Sequence, residues 1–267
     1  MLPNLVVIGD IAYETIIIGS KKHTCLGGSA YYALIGAKAS KNNNCILIAS
    51  VGEDFNFDAL NDLGILDVNI VSRKKTANFI TEFVNDIVER KFYADFGAIE
   101  FPQYELIEKY LDKPLVFLAG SNPMRQLCWI EKLKSNNYTG IIACDVFEKY
   151  CLENREETVE VIDESNIVFV NQVEAKILNY NPIGNNKTSI IKKGEAGATL
   201  VYKGEYLYDI KPQIEGLPID TNGAGDILAA SFLSKIIGGC TSYTDALQFA
   251  VDLASLSVFQ KGVDHIL

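Results

Sequence analysis

The chain has 267 residues, 48% of them hydrophobic, so it is long enough to bury a sizeable core in one large α/β domain. Its formal net charge of -10 and its pI of about 4.8 disfavour nucleic acid and anionic lipid as partners, because both attract basic surface. Small molecules and proteins are left as the expected partner classes.

The cysteines and histidines give no metal-binding pattern. The six cysteines contain no C-x-x-C pair, and only His23 and His265 are present, so a zinc site is not expected. Scattered cysteines of this kind are typical of reduced thiols in the cytoplasm. Residues 1–4 lack the basic flank of a signal peptide, and no apolar stretch approaches the ~20 residues of a membrane span. We therefore expect a cytoplasmic protein that does not associate with membranes.

Short apolar runs alternate along the chain with segments of helical periodicity. Apolar runs of this length are typical of strands covered on both faces. The alternation predicts an α/β fold, with a doubly wound, mostly parallel central sheet flanked by helices. The predicted strands are residues 5–8, 45–51, 115–119, 140–144, 167–170 and 189–191, and the predicted helices are residues 29–40, 123–135, 153–163 and 173–178.

Two stretches break this rhythm. Residues 14–18 and 68–96 interleave β-branched and aromatic residues with charges, a pattern typical of antiparallel strands with one solvated face. We predict a small antiparallel β lid inserted around residues 11–26 and 68–96 of a single domain, 1–267. An exposed lid edge is also a candidate homodimer surface, because unpaired strand edges invite pairing.

Near the C-terminus, a glycine-rich turn at residues 223–226 leads into a predicted helix at 227–237, and a second helix is predicted at 243–259. Two glycines allow successive backbone N–H groups to converge, and the start of a helix adds partial positive charge. The turn therefore favours an anion such as phosphate. Aspartate is also a common helix cap, so the turn alone leaves cap and catalyst open for Asp226.

The string Asp-Thr-Asn-Gly-Ala-Gly-Asp at residues 220–226 resembles the second signature of the ribokinase family, also called the PfkB family of carbohydrate kinases. The resemblance covers nearly the whole chain, and it implies a ribokinase-like fold and an ATP-dependent kinase. The other similar segments are Gly9-Asp10, Gly27-Gly28, the Val-Gly-x-Asp stretch ending at Asp54, Asn171 with Glu174, the turn from Gly194 to Gly197, and the closing helix.

The resemblance implies the roles of a phosphoryl-transfer site. Asp226 would accept the proton of the substrate hydroxyl, and the N–H groups of Gly223, Ala224 and Gly225 would form the anion hole. Asn171 and Glu174 would organise Mg²⁺, although the same pair is also typical of an ordinary helix cap. A monovalent cation is a further candidate cofactor beside ATP and Mg²⁺. The residues implied to bind the nucleotide are Asn171, Glu174, Lys193, Gly194, Gly197, Thr221, Gly223 and Gly225.

The residues implied to bind the acceptor are Asp10, Glu14, Gly27, Gly28, Tyr32 and Asp226. Glu14 has two readings, as an acceptor of hydrogen bonds from substrate hydroxyls and as a solvated charge on an edge strand. The chain departs from the family pattern where Tyr32 replaces an asparagine and where Lys149 takes the place of an arginine, whose planar fork it lacks.

Three functions follow from these residues. The first is a kinase that phosphorylates a sugar or related polyol. The second is a nucleoside kinase in which aromatic residues stack a base, and the third is a homologue that binds ligand without turnover. The stacking residues proposed for the second function are Tyr31, Tyr32, Phe92 and Tyr93, and Arg90 is a further candidate for lining the pocket.

Overall fold

The structure, a computed structural model, describes residues 5–18, 20–42, 44–60, 63–84, 89–214 and 216–267. Residues 1–4, whose lack of a basic flank is the reason for expecting no signal peptide, lie outside these ranges. The strands are β1 Leu5–Ile8, β2 Ala12–Ile18, β3 Lys21–Gly27, β4 Cys45–Gly52, β5 Ile65–Val71, β6 Ala77–Val84, β7 Glu89–Asp95, β8 Leu115–Leu118, β9 Ile141–Asp145, β10 Ile167–Asn171, β11 Thr188–Lys192, β12 Ala198–Tyr202 and β13 Glu205–Ile210.

The helices complete the chain order. Short 3₁₀ helices lie at Phe57–Leu60, Gly97–Glu100, Tyr104–Tyr110, Gly194–Ala196 and Asp264–Ile266. The α-helices are α1 Ser29–Ala39, α2 Pro123–Ser135, α3 Glu148–Glu153, α4 Arg155–Glu164, α5 Gln172–Leu178, α6 Ala224–Ile237 and α7 Tyr243–Ser257.

A nine-stranded sheet in the order β13-β12-β11-β10-β9-β8-β1-β4-β5 forms the centre of the fold. Its strands from β5 to β11 pair in parallel, and β12 and β13 continue it as an antiparallel hairpin. The central strands are apolar runs buried along their whole length, as the sequence predicts for strands covered on both faces. The doubly wound, mostly parallel sheet is confirmed.

Alternate side chains of the strands enter two separate cores. Leu5 and Val7 of β1 join the core that contains residues of α1, α6 and α7, while Val6 and Ile8 join the core formed with α2, α4 and α5. The helices therefore cover both faces of the sheet and leave its carboxyl edge free.

A four-stranded sheet in the order β3-β2-β6-β7 forms the lid. The β2/β3 and β6/β7 pairs are antiparallel, whereas the central β2/β6 pair is parallel. The long connection through α1, β4 and β5 makes this parallel pairing possible. The predicted second lid segment, 68–96, starts too early, because residues 65–71 form β5 and pair in parallel with β4 in the main sheet. The lid resumes at Ala77.

Three further features differ from the prediction. Helix α6 begins at Ala224 rather than 227, because Gly223 already serves as its N-cap at a φ of 72°. The predicted helix at 153–163 corresponds to α4, Arg155–Glu164, whereas α3, Glu148–Glu153, whose C-cap Asn154 directly precedes α4, was not predicted. The β12/β13 hairpin was not predicted.

The cysteines are unpaired, and Cys45 and Cys144 are buried in the core, where a free thiol packs as a small apolar group. Within the described ranges, every helix is too short or too polar to cross a bilayer.

Candidate active site

A cavity of about 470 Å³ lies between the carboxyl edge of the main sheet, the start of α6 and the lid. In parallel sheets the polar residues that follow each strand meet at this edge, which is where such folds bind ligands. Here β9 ends at Asp145, β10 at Asn171 and β11 at Lys192. The acidic and basic residues that line the cavity are Asp10, Glu14, Asp145, Lys149, Glu174, Lys192 and Asp226.

The first turn of α6 forms one wall of the cavity. Gly223, Gly225 and Asp226 line it, and the helical ladder begins with the Ile227 N–H, which donates to the Gly223 carbonyl at 2.9 Å. The N–H groups of a first turn have no carbonyl partner within their helix, so they can bind an anion. The Ala224 N–H donates to the Thr221 carbonyl at 3.5 Å, and neither residue lines the cavity.

Asp226 carries a strongly perturbed carboxyl group. Burial raises its pKa well above the usual range, the nearby Asp145 raises it further, and the Lys192 ammonium opposes both. A carboxylate with a raised pKa is a better proton acceptor than an exposed one. The position and electrostatics of Asp226 therefore suit a general base.

Glu14, in the lid strand β2, lines the cavity and accepts two hydrogen bonds from the protein. Its Oε1 accepts from the Gly28 N–H at 3.1 Å, and its Oε2 accepts from the Tyr32 hydroxyl at 2.8 Å. Burial raises the pKa of Glu14, and both bonds oppose that rise. Of the two interpretations given for Glu14, a solvated charge on an edge strand does not match these two hydrogen bonds or the position of β2 inside the lid sheet.

The paired glycines make room for these contacts. A Cβ at Gly27 would lie 2.3 Å from the Glu14 Cδ, so Gly27 admits the carboxylate without lining the cavity itself. Gly28 has a φ of 94°, and a Cβ there would lie 2.4 Å from the Asp10 carbonyl oxygen. Both positions therefore need glycine.

Tyr32 joins the lid to the first turn of α6. A Cβ built on Gly223 would lie 2.0 Å from the Tyr32 Cγ, so the ring packs directly against this glycine. Its hydroxyl donates to Glu14, and burial, together with the charge of Glu14 and this bond, raises the pKa of Tyr32 so that the phenol stays protonated. The tyrosine that departs from the family pattern is thus part of the cavity wall.

We expect Tyr32→Phe to raise the KM for the acceptor by roughly tenfold, because a hydrogen bond to a charged group contributes about 1.5–3 kcal/mol. The KM for ATP should stay near its wild-type value. Tyr13→Phe is a matched control, since the Tyr13 hydroxyl bonds the Asp54 carbonyl and the Asn56 N–H outside the cavity. Initial-rate kinetics on both variants measure the effect. If Tyr32→Phe and Tyr13→Phe had the same KM for the acceptor, the role given to the Tyr32 hydroxyl would be contradicted.

Asp10 forms an ion pair with Arg125, a residue that no sequence motif indicates. Its carboxylate accepts from Arg125 Nη2 at 3.0 Å, and Arg125 Nη1 donates to the Ile99 carbonyl. Burial raises the pKa of Asp10, while Arg125 opposes the rise. Arg125 lies in α2, far from Asp10 in sequence, so only the tertiary structure reveals the pair.

Asp145 and Lys192 form a buried ion pair at the cavity floor. The Lys192 Nζ lies 2.7 Å from Oδ1 and 2.5 Å from Oδ2 of Asp145. The adjacent Lys193, which the family resemblance implies at the nucleotide, binds Asp209 Oδ1 through its ammonium at 2.6 Å and does not line the cavity. A signal was available, because Asp145 and Lys192 directly follow apolar strands at the carboxyl edge.

The implied nucleotide turn joins β11 to β12. The Lys193 N–H donates to the Gly197 carbonyl at 2.8 Å, and Gly194 and Gly197 have φ values of 59° and 84°. A Cβ at Gly197 would lie 2.0 Å from the carbonyl oxygen of Ile210, the last residue of β13. This close packing is by itself a sufficient reason for a glycine at this position. The turn lies outside the residues that line the cavity.

Asn171 and Glu174 form the capping box that was the alternative reading of this pair. The Asn171 Oδ1 accepts from the Glu174 N–H at 2.8 Å, and Glu174 Oε2 accepts from the Asn171 N–H at 2.7 Å. Burial raises the pKa of Glu174 to about 7, although Lys192 opposes the rise. Among the described residues, no group of three or more acidic, His or Cys side chains is arranged to hold a metal ion.

Of the aromatic residues proposed to stack a base, Tyr32 lines the cavity, and its ring meets that of Tyr31 edge to face with centroids 5.4 Å apart. Tyr31 lies in the core, and Tyr93 is 52% exposed on the lid without lining the cavity. The side chains of Arg90 and Phe92 lie outside the described part of the structure. The aromatic residues that do line the cavity are Tyr32, Phe79, Phe96, Phe147 and Tyr150.

A buried carboxylate beside an anion-binding helix terminus, closed over by a lid, is the arrangement of a phosphotransferase. The family model "pfkB family carbohydrate kinase" matches residues 27–267. The chain therefore belongs to the PfkB family of carbohydrate kinases, and it is an ATP-dependent phosphotransferase of the sugar and nucleoside kinase type.

Individual relatives agree with this assignment. A nucleoside kinase of Methanocaldococcus jannaschii is 26% identical over 225 residues, which cover 80% of this chain and 72% of that protein. Adenosine kinase from Schistosoma mansoni, solved with 2-fluoroadenosine, superposes with a TM-score of 0.82 at 15% identity, covering 99% of this chain and 97% of that one. Arabidopsis thaliana ribokinase, solved with ribose and ATP, gives 0.78 at 20% identity and covers 100% and 96%. These two structures are similar in fold.

Proposed function

We propose that this enzyme transfers the γ-phosphoryl group of ATP to a hydroxyl of a sugar or related polyol bound beneath the lid. The observation that carries the proposal is the position of Asp226, which lines the same cavity as Glu14 and the first turn of α6. Glu14 accepts hydrogen bonds from the acceptor hydroxyls, and Asp226 accepts the proton of the hydroxyl that attacks. The amides of Gly223 and Gly225 bind the phosphoryl group during transfer.

Mg²⁺ completes this proposal. Mg²⁺ in kinases is bound by one or two carboxylates together with substrate phosphates, so a dedicated cluster is not needed. Glu174 supplies a carboxylate at the cavity, and Asn171 positions it through the capping box. When bound, Mg²⁺ neutralises charge on the phosphate oxygens. The implied monovalent cation and the roles of Lys193, Gly194 and Thr221 at the nucleotide remain further proposals.

A nucleoside is the second candidate acceptor, and the cavity's own aromatic residues favour it. Phe79 and Phe96 of the lid region meet edge to face with ring centroids 6.2 Å apart, and Phe147 lies 44% exposed at the cavity wall. Such surfaces can stack a base. One relative is named a nucleoside kinase, which supports the same candidate.

An acceptor screen with ATP and Mg²⁺ tests both candidates. ADP release should depend on an added acceptor, and parallel panels of sugars, polyols and nucleosides identify its class. Activity confined to nucleosides would replace the sugar proposal with the second candidate. Tight binding of a panel compound without ADP formation would support the non-catalytic homologue instead.

The dependence of kcat/KM on pH gives a further prediction. Asp226 must be ionised to accept a proton, so activity should fall as pH decreases through its pKa. Burial, Asp145, Glu14 and Glu174 raise that pKa and Lys192 lowers it, with a net rise. The acid limb should therefore lie well above the ordinary aspartate pKa of about 3.9. A limb at the ordinary value would contradict the assignment of Asp226 as the base.

A further inference from the structure

Lys192 is a buried cation at the centre of a cluster of carboxylates. Only 15% of its side chain is exposed, and the carboxylate of Asp145, which it binds, is 3% exposed. Burial lowers the pKa of Lys192, but Asp145, Glu174 and Asp226 outweigh burial and raise it. The lysine therefore stays charged at neutral pH. These acidic groups come from β9, α5 and α6, and Lys192 itself ends β11.

The ammonium of Lys192 lies against the first turn of α6. A Cβ built on Gly225 would be 3.2 Å from the Lys192 Nζ. The start of a helix carries partial positive charge, so a cation at this position is unfavourable by itself. A local conflict of this kind is typical of a functional site. An anion bound between the ammonium and the helix terminus would be attracted by both.

The cavity makes this position accessible to a ligand. Lys192, Gly225 and Asp226 all line it, and Asp145 holds the lysine side chain in place through two hydrogen bonds. A lysine held by one carboxylate has further N–H donors, because an ammonium carries three. The adjacent Lys193 points away and binds Asp209. The two lysines are thus neighbours in sequence with opposite surroundings.

We propose that Lys192 is a catalytic residue that contacts the phosphoryl group as it is transferred. The proposal rests on the proposed function. A bond forms between the acceptor oxygen and the γ-phosphorus, and the bond from that phosphorus to the β,γ-bridging oxygen of ATP breaks. The electron pair of the broken bond leaves with ADP, and the acceptor proton passes to Asp226. Lys192 keeps its proton and neutralises charge on the phosphoryl oxygens.

Lys192→Met tests this role against Lys132→Met as a control, because Lys132 also pairs with a carboxylate, Glu108 at 2.7 Å, but does not line the cavity. We expect kcat to fall by about 10²–10³-fold in Lys192→Met, the usual cost of losing one donor to a transition-state oxyanion. Lys132→Met should keep the wild-type kcat. In titrations, wild type should bind the non-hydrolysable analogue AMP-PNP more tightly than ADP, and Lys192→Met should lose this preference. A wild-type kcat and an unchanged preference in Lys192→Met would overturn the proposal.

A second variant separates catalysis from folding, because Lys192→Met leaves Asp145 buried without its partner. Asp145→Asn combined with Lys192→Gln keeps two hydrogen-bonding groups and removes both charges. This double variant should unfold near the wild-type temperature and remain as impaired as Lys192→Met. Recovery of the wild-type kcat would show that Lys192 only neutralises Asp145, and the proposal would fail. If wild type forms no ADP with any acceptor, the proposed function fails, while the AMP-PNP and ADP titrations still decide for or against the phosphate contact.

Discussion

Asp226→Asn is expected to lower kcat by about 10²–10⁴-fold, the usual contribution of a general base. The amide has nearly the shape of the carboxylate but cannot accept the acceptor proton at neutral pH. The free energy of unfolding should stay equal or rise, because burying a charged carboxyl is costly and burial raises the pKa of Asp226. Acceptor-dependent ADP release and thermal unfolding, measured on the same preparation, check both statements.

Asp245→Asn is the matched control for this variant. Asp245 also lies in the first turn of a helix, α7, but it does not line the cavity. If Asp226 were only a helix cap, both variants would lose stability to a similar extent and keep their activity. Undiminished turnover in Asp226→Asn would remove the assigned base.

Gly223→Ala is expected to lower kcat/KM by at least about 10²-fold, since it disturbs the donors of the anion hole. The new Cβ would lie 2.0 Å from the Tyr32 Cγ, so the ring must move away from α6. Moving the ring breaks the hydrogen bond from Tyr32 to Glu14. The variant should also lose stability, by about 1–3 kcal/mol for overpacking and about 1–2 kcal/mol for the positive φ. Steady-state kinetics and urea unfolding measure the two effects.

Gly239→Ala isolates the cost of the backbone. Gly239 follows the other end of α6 with a φ of 95°, and a Cβ there would meet nothing within 4 Å. Gly239→Ala should lose only about 1–2 kcal/mol of unfolding free energy, the contribution of the positive φ, and it should keep full activity. A double variant of Gly223→Ala with Tyr32→Ala should lose less stability than the two single variants together, because the clash is gone. Equal activity of the two glycine variants would contradict the role given to Gly223.

The electrostatics of the site differ from what single residues suggest. Asp226 and Glu174 have raised pKa values, and both lie near Lys192, which opposes the rise. Asp145 raises the pKa of both Asp226 and Glu174, and Lys192 lowers both. Replacing Lys192 is therefore expected to raise the pKa of Asp226 as well as to remove the phosphate contact.

Local sequence patterns were sufficient for the six parallel strands of the main sheet from β11 to β4 and for the glycine-rich turn at 223–226. The apolar strands and the glycines at 223 and 225 act over a few residues, so their consequences can be read without knowing the fold. The predicted boundaries of the lid were less accurate. Residues 65–71 have the composition of a strand, but composition does not show whether that strand pairs with β4 or with the lid. The β12/β13 hairpin was not predicted, because residues 198–210 mix apolar and polar positions and contain no continuous apolar run like those of the parallel strands.

The sequence by itself determined the α/β class, the glycine-rich start of α6 and the position of Asp226 in its first turn. These depend on glycine conformation, helix termini and apolar periodicity, which are properties of neighbouring residues. Only the tertiary structure decided that Lys192 rather than Lys193 faces the cavity, that Arg125 holds Asp10, and that Tyr32 connects Glu14 to Gly223. Those contacts join residues that are distant along the chain, and packing alone determines which of them meet.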